Sequence, residues 1–136
     1  MIERFYLRDF LSFKEAELEF KKGLVVFTGP SGSGKSILMS SILASLGLDD
    51  AKAGLSEATI NFPLKLEELG IEEDELTVFK QMKKEKVRHF INNQTISKKM
   101  LLNLSGSFVR HLSLRDYSDF KNENLLEMID RFCTEE

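Results

Sequence analysis

The sequence predicts an α/β fold, and three observations predict it. A strictly alternating segment, Glu15 to Phe20, is followed by a continuous apolar run, Leu24-Val25-Val26-Phe27. That run feeds a glycine-rich segment, Gly29 to Ser36. Directly after it, Ile37, Leu38, Ser41, Ile42 and Leu46 recur at helical spacing. Strand, glycine loop and helix in that order form one β-loop-α unit.

The elements follow in order. Ile2 to Leu7 is apolar and aromatic, and Ala16, Leu18 and Phe20 alternate with Glu15, Glu17 and Glu19, the period of a half-buried strand. Lys21-Lys22-Gly23 makes a turn, and the run Leu24–Phe27 is expected to be a central strand covered on both faces. Gly47 stops the first helix. Ala58, Ile60 and Phe62 alternate again until Pro63, and the acidic stretch Glu67 to Glu75 reads as a surface helix or loop. Leu76–Met82 and Val87–Ile91 form a strand pair across a lysine-rich connection. Asn92-Asn93 then predicts a turn with left-handed backbone before Gln94-Thr95-Ile96. Ser97 is placed to cap a short helix through Leu104, and Phe108-Val109 predicts a further strand. Tyr117, Phe120, Leu125, Met128, Ile129 and Phe132 share one face of a final helix.

Composition narrows the class. The chain has 136 residues, 42% of them apolar and 30% charged, with 11 Phe, no Trp and a net charge of −3. That suits a single globular domain and excludes disordered and fibrous classes. No apolar run reaches the roughly 18 residues that span a bilayer, and the charged start is unlike a signal peptide. The single cysteine, Cys133, excludes an intramolecular disulfide and a cysteine-rich zinc site, so the expected location is the cytoplasm. His89 and His111 have no cysteine or carboxylate at metal-ligand spacing and read as ordinary histidines.

Charge is segregated: +1 over residues 1–48, −7 over 49–79, +8 over 80–115 and −5 over 116–136. The basic stretch, with Lys80, Lys83, Lys84, Lys86 and Arg88, presents a face to a polyanion such as DNA, or else a solvated hairpin whose lysines guard its edge.

Gly29-Pro30-Ser31-Gly32-Ser33-Gly34-Lys35-Ser36 satisfies G-x-x-x-x-G-K-[ST] at every fixed position. Glycines let backbone N–H groups close around a phosphate, and the helix start adds its partial positive charge. Lys35 is the candidate catalytic residue, reaching the β- and γ-phosphates, and Ser36 is a Mg²⁺ ligand. With Ile37 the loop makes a nucleoside triphosphate site, and ATP is favoured because no N-K-x-D guanine reader is present. Leu104-Ser105-Gly106-Ser107 imitates the start of an L-S-G-G-Q signature, and Asp130 ends an imitation of a Walker B strand. Glu127 interrupts that strand and Arg131 follows it, which argues against a compact complete ATPase.

The strand followed by Phe10-Leu11-Ser12-Phe13, the E-L-E-F start of Glu17–Phe20, the loop ending G-K-S-I-L, and Arg88 to Ser97 together resemble the RecN family, in the SMC-like branch of the ABC-type ATPases. The resemblance covers most of 1–130 except the acidic stretch at 49–79. It implies a P-loop NTPase fold: the N-terminal half of an SMC/ABC-type ATPase head with an added antiparallel β-hairpin region, ahead of a coiled-coil arm. It implies ATP and Mg²⁺ as ligands, with Ser12 and Phe13 near the nucleotide. A family Gln that holds Mg²⁺ and the attacking water falls on Ser113 here. It also implies partners: the C-terminal half of the same head, a second head in an ATP-driven dimer, and DNA met by the full-length protein at the nucleoid during double-strand-break repair, with no membrane involved. This chain has no Walker B Asp–Glu pair, so it is expected to bind ATP without turning it over. The alternatives are a small P-loop kinase and a non-hydrolysing ATP-gated module.

Overall fold

The computed structural model describes residues 1–10 and 13–112. Six strands, β1 (Ile2–Phe10), β2 (Phe13–Glu19), β3 (Leu55–Ile60), β4 (Thr77–Lys83), β5 (Val87–Ile91) and β6 (Gln94–Ile96), form one antiparallel sheet in the order β2-β1-β3-β4-β5-β6. Two helices, α1 (Lys35–Ser45) and α2 (Lys98–Phe108), complete the regular structure, with a single 3₁₀ turn at Glu67–Leu69. The chain divides into two compact units, Met1–Ser105 and Gly106–Glu136. The sheet and α1 belong to the first.

The strand registers show what holds the sheet. Phe5 pairs with Ala58, Ala58 with Phe79, and Phe79 with Ile91, and all four side chains are fully buried. The small Ala58 leaves room for the two phenyl rings beside it. One step along, Leu7, Ser56, Gln81 and His89 lie opposite one another on the same buried face. The Ser56 and Gln81 side chains satisfy each other and the backbone: the Ser56 hydroxyl donates to Gln81 Oε1 at 2.9 Å, and Gln81 Nε2 donates to the Ala53 carbonyl at 3.3 Å. Lys83 Nζ donates to the Ala51 carbonyl at 3.1 Å, so β4 also fastens the segment entering β3.

Helix α1 packs on β3 and β4 and buries its C-terminal half, Ser41 to Ser45. Two serines are tolerated there because their hydroxyls donate to their own helix, Ser41 to Ile37 O at 2.9 Å and Ser45 to Ile42 O at 2.6 Å. Gly47 ends the helix with φ 76°, and a Cβ at that position would stand 2.8 Å from Leu101 Cδ2. Only glycine allows α2 so close. The acidic stretch is an irregular loop rather than a helix, held by Leu64, Leu66 and Ile71, all buried.

Two sequence expectations are overturned. Leu24–Phe27 is not a strand: Leu24 and Val26 are 92% and 68% exposed, and no strand pairs with the segment among the described residues. An apolar run becomes a central strand only when neighbours on both sides supply ladder partners. The segment is anchored instead at Phe27, whose ring meets Phe20 edge-on at 5.9 Å. Phe108-Val109 is not a strand either, because α2 continues through Gly106 to Phe108. The expected final helix, Tyr117 to Phe132, lies outside the described residues.

Candidate nucleotide-binding site

The glycine-rich loop sits at the surface between the unpaired run and α1. Ser33 N–H donates to the Pro30 carbonyl at 3.2 Å, folding the loop on itself. The fold is tight: a Cβ on Gly29 would stand 2.7 Å from Ser33 Oγ. Gly32 and Gly34 have φ of 83° and 94°, values that turn successive backbone N–H groups toward one side.

The start of α1 is chemically unusual. Its N-cap is Gly34, which has no side chain to accept from the first-turn N–H groups, and the first turn contains no acidic residue. The first helical residue is instead a cation, Lys35. Helix stability alone selects the opposite charge there. Lys35 is half-buried, and its ammonium folds back to donate to the Gly29 carbonyl and, at 3.5 Å, to the Pro30 carbonyl. Ser36 is exposed beside it, and Ile37 is half-buried one residue on. The loop therefore gathers donors and one cation with no carboxylate, and such a set fits a phosphate chain.

The structure brings Gly29, Pro30, Ser31, Gly32, Ser33, Gly34, Lys35, Ser36 and Ile37 into one continuous loop and helix start. Phe13 opens β2 with its backbone opposite Phe10. Ser12 and Ser113 lie outside the described residues, as do Cys133 and Asp130. The imitation signature is resolved: Ser105 is fully buried in α2 and donates to the Leu46 carbonyl at 2.7 Å, so its hydroxyl serves the fold. His89 is buried on β5, whereas His111 is exposed. Among the described residues no three His, Cys, Asp or Glu side chains converge on a metal position, and no helix is long and apolar enough to cross a membrane.

The five cations of the basic stretch separate in space. Lys80 pairs with Glu57 at 3.1 Å and donates to Asn93 Oδ1 at 3.1 Å, and Lys83 is fastened to Ala51. Lys84, Lys86 and Arg88 remain, around a groove floored by Met82 and Phe90. Lys84 and Lys86 lie in the β4–β5 turn, and Arg88 lies on the stretch of β5 that pairs with β4 but not with β6, so guarding an open strand edge accounts for part of this charge but not for the apolar lining beside it. The apolar floor was missed in the sequence, although Arg88 and Phe90 alternate with the buried His89 and Ile91.

A P-loop at the start of a helix, beside an antiparallel sheet, defines a nucleotide-binding domain of the P-loop class. Residues 4–132 match the AAA domain family, and the chain belongs to that family. Within it the chain is similar to DNA repair protein RecN. It is 35% identical to RecN of Helicobacter pylori strain 26695 over 99% of this chain and 27% of that protein. With RecN of Aquifex aeolicus the identity is 32%, over 90% of this chain and 21% of that one. The chain thus spans about a quarter of the length of the curated relatives it matches. The fold is that of SMC ATPase heads. A structure described under ATP-driven dimerization and DNA stimulated activation of SMC ATPases matches with TM-score 0.63 and 16% identity, over 94% of this chain and 90% of that one. An Smc head domain from Pyrococcus yayanosii matches with TM-score 0.57 and 24% identity, over 78% of this chain and 25% of that one.

Proposed function

We propose that Gly29–Ser36 binds Mg-ATP and that the chain is the ATP-binding half of an SMC-like head acting in DNA double-strand-break repair. The observation that carries the reading is the uncapped start of α1 with Lys35 as its first residue. In the proposed complex the loop N–H groups and Lys35 hold the phosphates, Lys35 exchanging its two carbonyl acceptors for phosphate oxygens, and Ser36 ligates Mg²⁺. Mg²⁺, when bound, supplies neutralisation of the β- and γ-phosphate charge. On the resemblance to RecN alone, Ser12 and Phe13 are proposed to lie near the nucleotide and Ser113 near its metal.

The partners follow from the same reading. The run Leu24–Phe27, exposed at Leu24, Val25 and Val26 and joined to no strand among the described residues, offers its backbone and apolar side chains to strands from the C-terminal half of the head. A second head would complete an ATP-driven dimer, and the whole protein would work on DNA in the cytoplasm, at the nucleoid.

The test is calorimetric titration of the chain with ATP, once in Mg²⁺ and once in EDTA. One saturable site that weakens in EDTA, and that loses this Mg²⁺ dependence in Ser36→Ala, is the expected result. Affinity indifferent to Mg²⁺ in the wild type overturns the assignment of Ser36.

A further inference from the structure

Among the described residues the outer face of the sheet holds cations in two states, ion-paired on β1 and β4 and unpaired at the β4–β5 hairpin. Arg4 meets Glu17 at 2.5 Å, and Lys80 meets Glu57 at 3.1 Å, so those cations are neutralised in place. Lys84, Lys86 and Arg88 are exposed and make no side-chain hydrogen bond or ion pair among the described residues. With Glu85 they line a groove of about 540 Å³, giving it a net charge of +2. Its floor is apolar. Met82 lies directly opposite Arg88, and Phe90 follows Arg88 two residues on along β5; both are half-buried where the cations are exposed, so one aromatic ring and one thioether stand beside the unpaired cations on the same face.

Neither component explains the other. A solvated basic turn needs no half-buried phenyl ring, and a ligand of pure charge would leave the floor wet. A ligand that satisfies both carries repeated anionic groups and flat apolar faces in alternation. Arg88 and Phe90 are two residues apart on one strand face, separated by about 6.7 Å of extended backbone. That places a cation and a stacking surface side by side along one line. We propose that this groove docks single-stranded nucleic acid, with a base stacked on Phe90 and phosphates on Lys84, Lys86 and Arg88. A duplex offers its phosphates but keeps its base faces stacked internally, and cannot use Phe90. The inference rests on the DNA-linked reading above and assigns it a place on this chain and a strand state.

The test is fluorescence anisotropy with labelled (dT)20 and with a 20-base-pair duplex, using the whole 136-residue chain. The single strand should bind more tightly. Three phosphate contacts predict a slope of about −2 for log affinity against log salt. Phe90→Leu keeps an apolar floor yet removes the ring, and should weaken (dT)20 about tenfold while leaving duplex binding unchanged. Phe90→Tyr should restore single-strand binding. Lys86→Glu with Arg88→Glu should weaken both ligands and flatten the salt slope. Unchanged (dT)20 affinity in Phe90→Leu, or a wild-type preference for duplex, overturns the proposal and leaves ATP binding by the P-loop standing. Wild-type chain that binds neither oligonucleotide overturns this placement of DNA. Failure to bind ATP in calorimetry instead strikes the nucleotide-site reading and leaves the groove to its own test.

Discussion

The Ser105 hydroxyl donates to the Leu46 carbonyl at 2.7 Å, so a side chain of α2 caps the end of α1 across 59 residues of sequence. The same end carries Gly47, against which Leu101 packs. Helix C-termini leave carbonyls unpaired, and a buried one without a donor is costly.

Ser105→Ala should therefore lose about 1–3 kcal/mol of stability in urea denaturation, since the hydrogen bond goes and the buried carbonyl stays. Gly47→Ala should cost at least as much, because a Cβ there meets Leu101 within 3.0 Å on a left-handed backbone. Stability unchanged in Ser105→Ala would show that α2 does not hold α1.

His89 predicts a pH dependence. It is 6% exposed, and its Nδ1 has no hydrogen-bond partner among the described residues. Burial, with a smaller contribution from the Lys98 ammonium, lowers its pKa below the ordinary value of 6.5. Gln81 and Ile96 flank it in the sheet and offer no charge, and Lys98 opens α2, itself paired with Asp50 at 3.5 Å. The unfolded chain takes up the imidazole proton first as pH falls, so the stability due to neutral His89 is complete above about pH 6.5 and declines toward the lowered folded pKa. Thermal melts of the wild type should fall between pH 7.5 and 5.5, and His89→Leu should flatten that decline. An equal decline in both proteins would remove His89 as the cause.

The sequence made some of this legible because certain residues have local reasons to be where they are. Asn92 and Asn93 turn with φ of 48° and 64°, as an Asn pair between strands does, and Ser97 Oγ accepts from Met100 N–H at 3.2 Å, as an N-cap does. Gly29–Ser36 was readable for the same reason: its geometry is written in consecutive residues. Long-range pairing was not readable. Leu24–Phe27 has the composition of a central strand, and composition cannot supply the neighbouring strands. Leu104-Ser105-Gly106-Ser107 looked like a break or a signature, yet Ser105 is kept in helix by a carbonyl 59 residues away. Likewise, nothing local separates Lys80, held by Glu57, from Arg88, which is unpaired.

Hydrolysis should be negligible in this chain. Transfer of a phosphoryl group to water needs the γ-phosphate held, its charge neutralised and the water aligned. The sequence contributes the phosphate loop and Ser36 but no Walker B Asp–Glu pair, and Ser113 stands where the RecN-like pattern has Gln. Each missing contribution costs about 10²-fold or more. Phosphate release by residues 1–136 should stay at background; turnover near 1 per second, abolished by Lys35→Ala, would make the chain a complete enzyme.

The central claim is that the cation at the uncapped start of α1 exists for a triphosphate. Calorimetry of ATP binding in Mg²⁺, comparing wild type with Lys35→Ala, tests it most directly. Among the described residues the Lys35 ammonium faces two backbone carbonyls of its own loop, so removing it should leave folding unchanged while ATP affinity falls by on the order of 2–4 kcal/mol. Equal affinity in the two proteins would contradict the account.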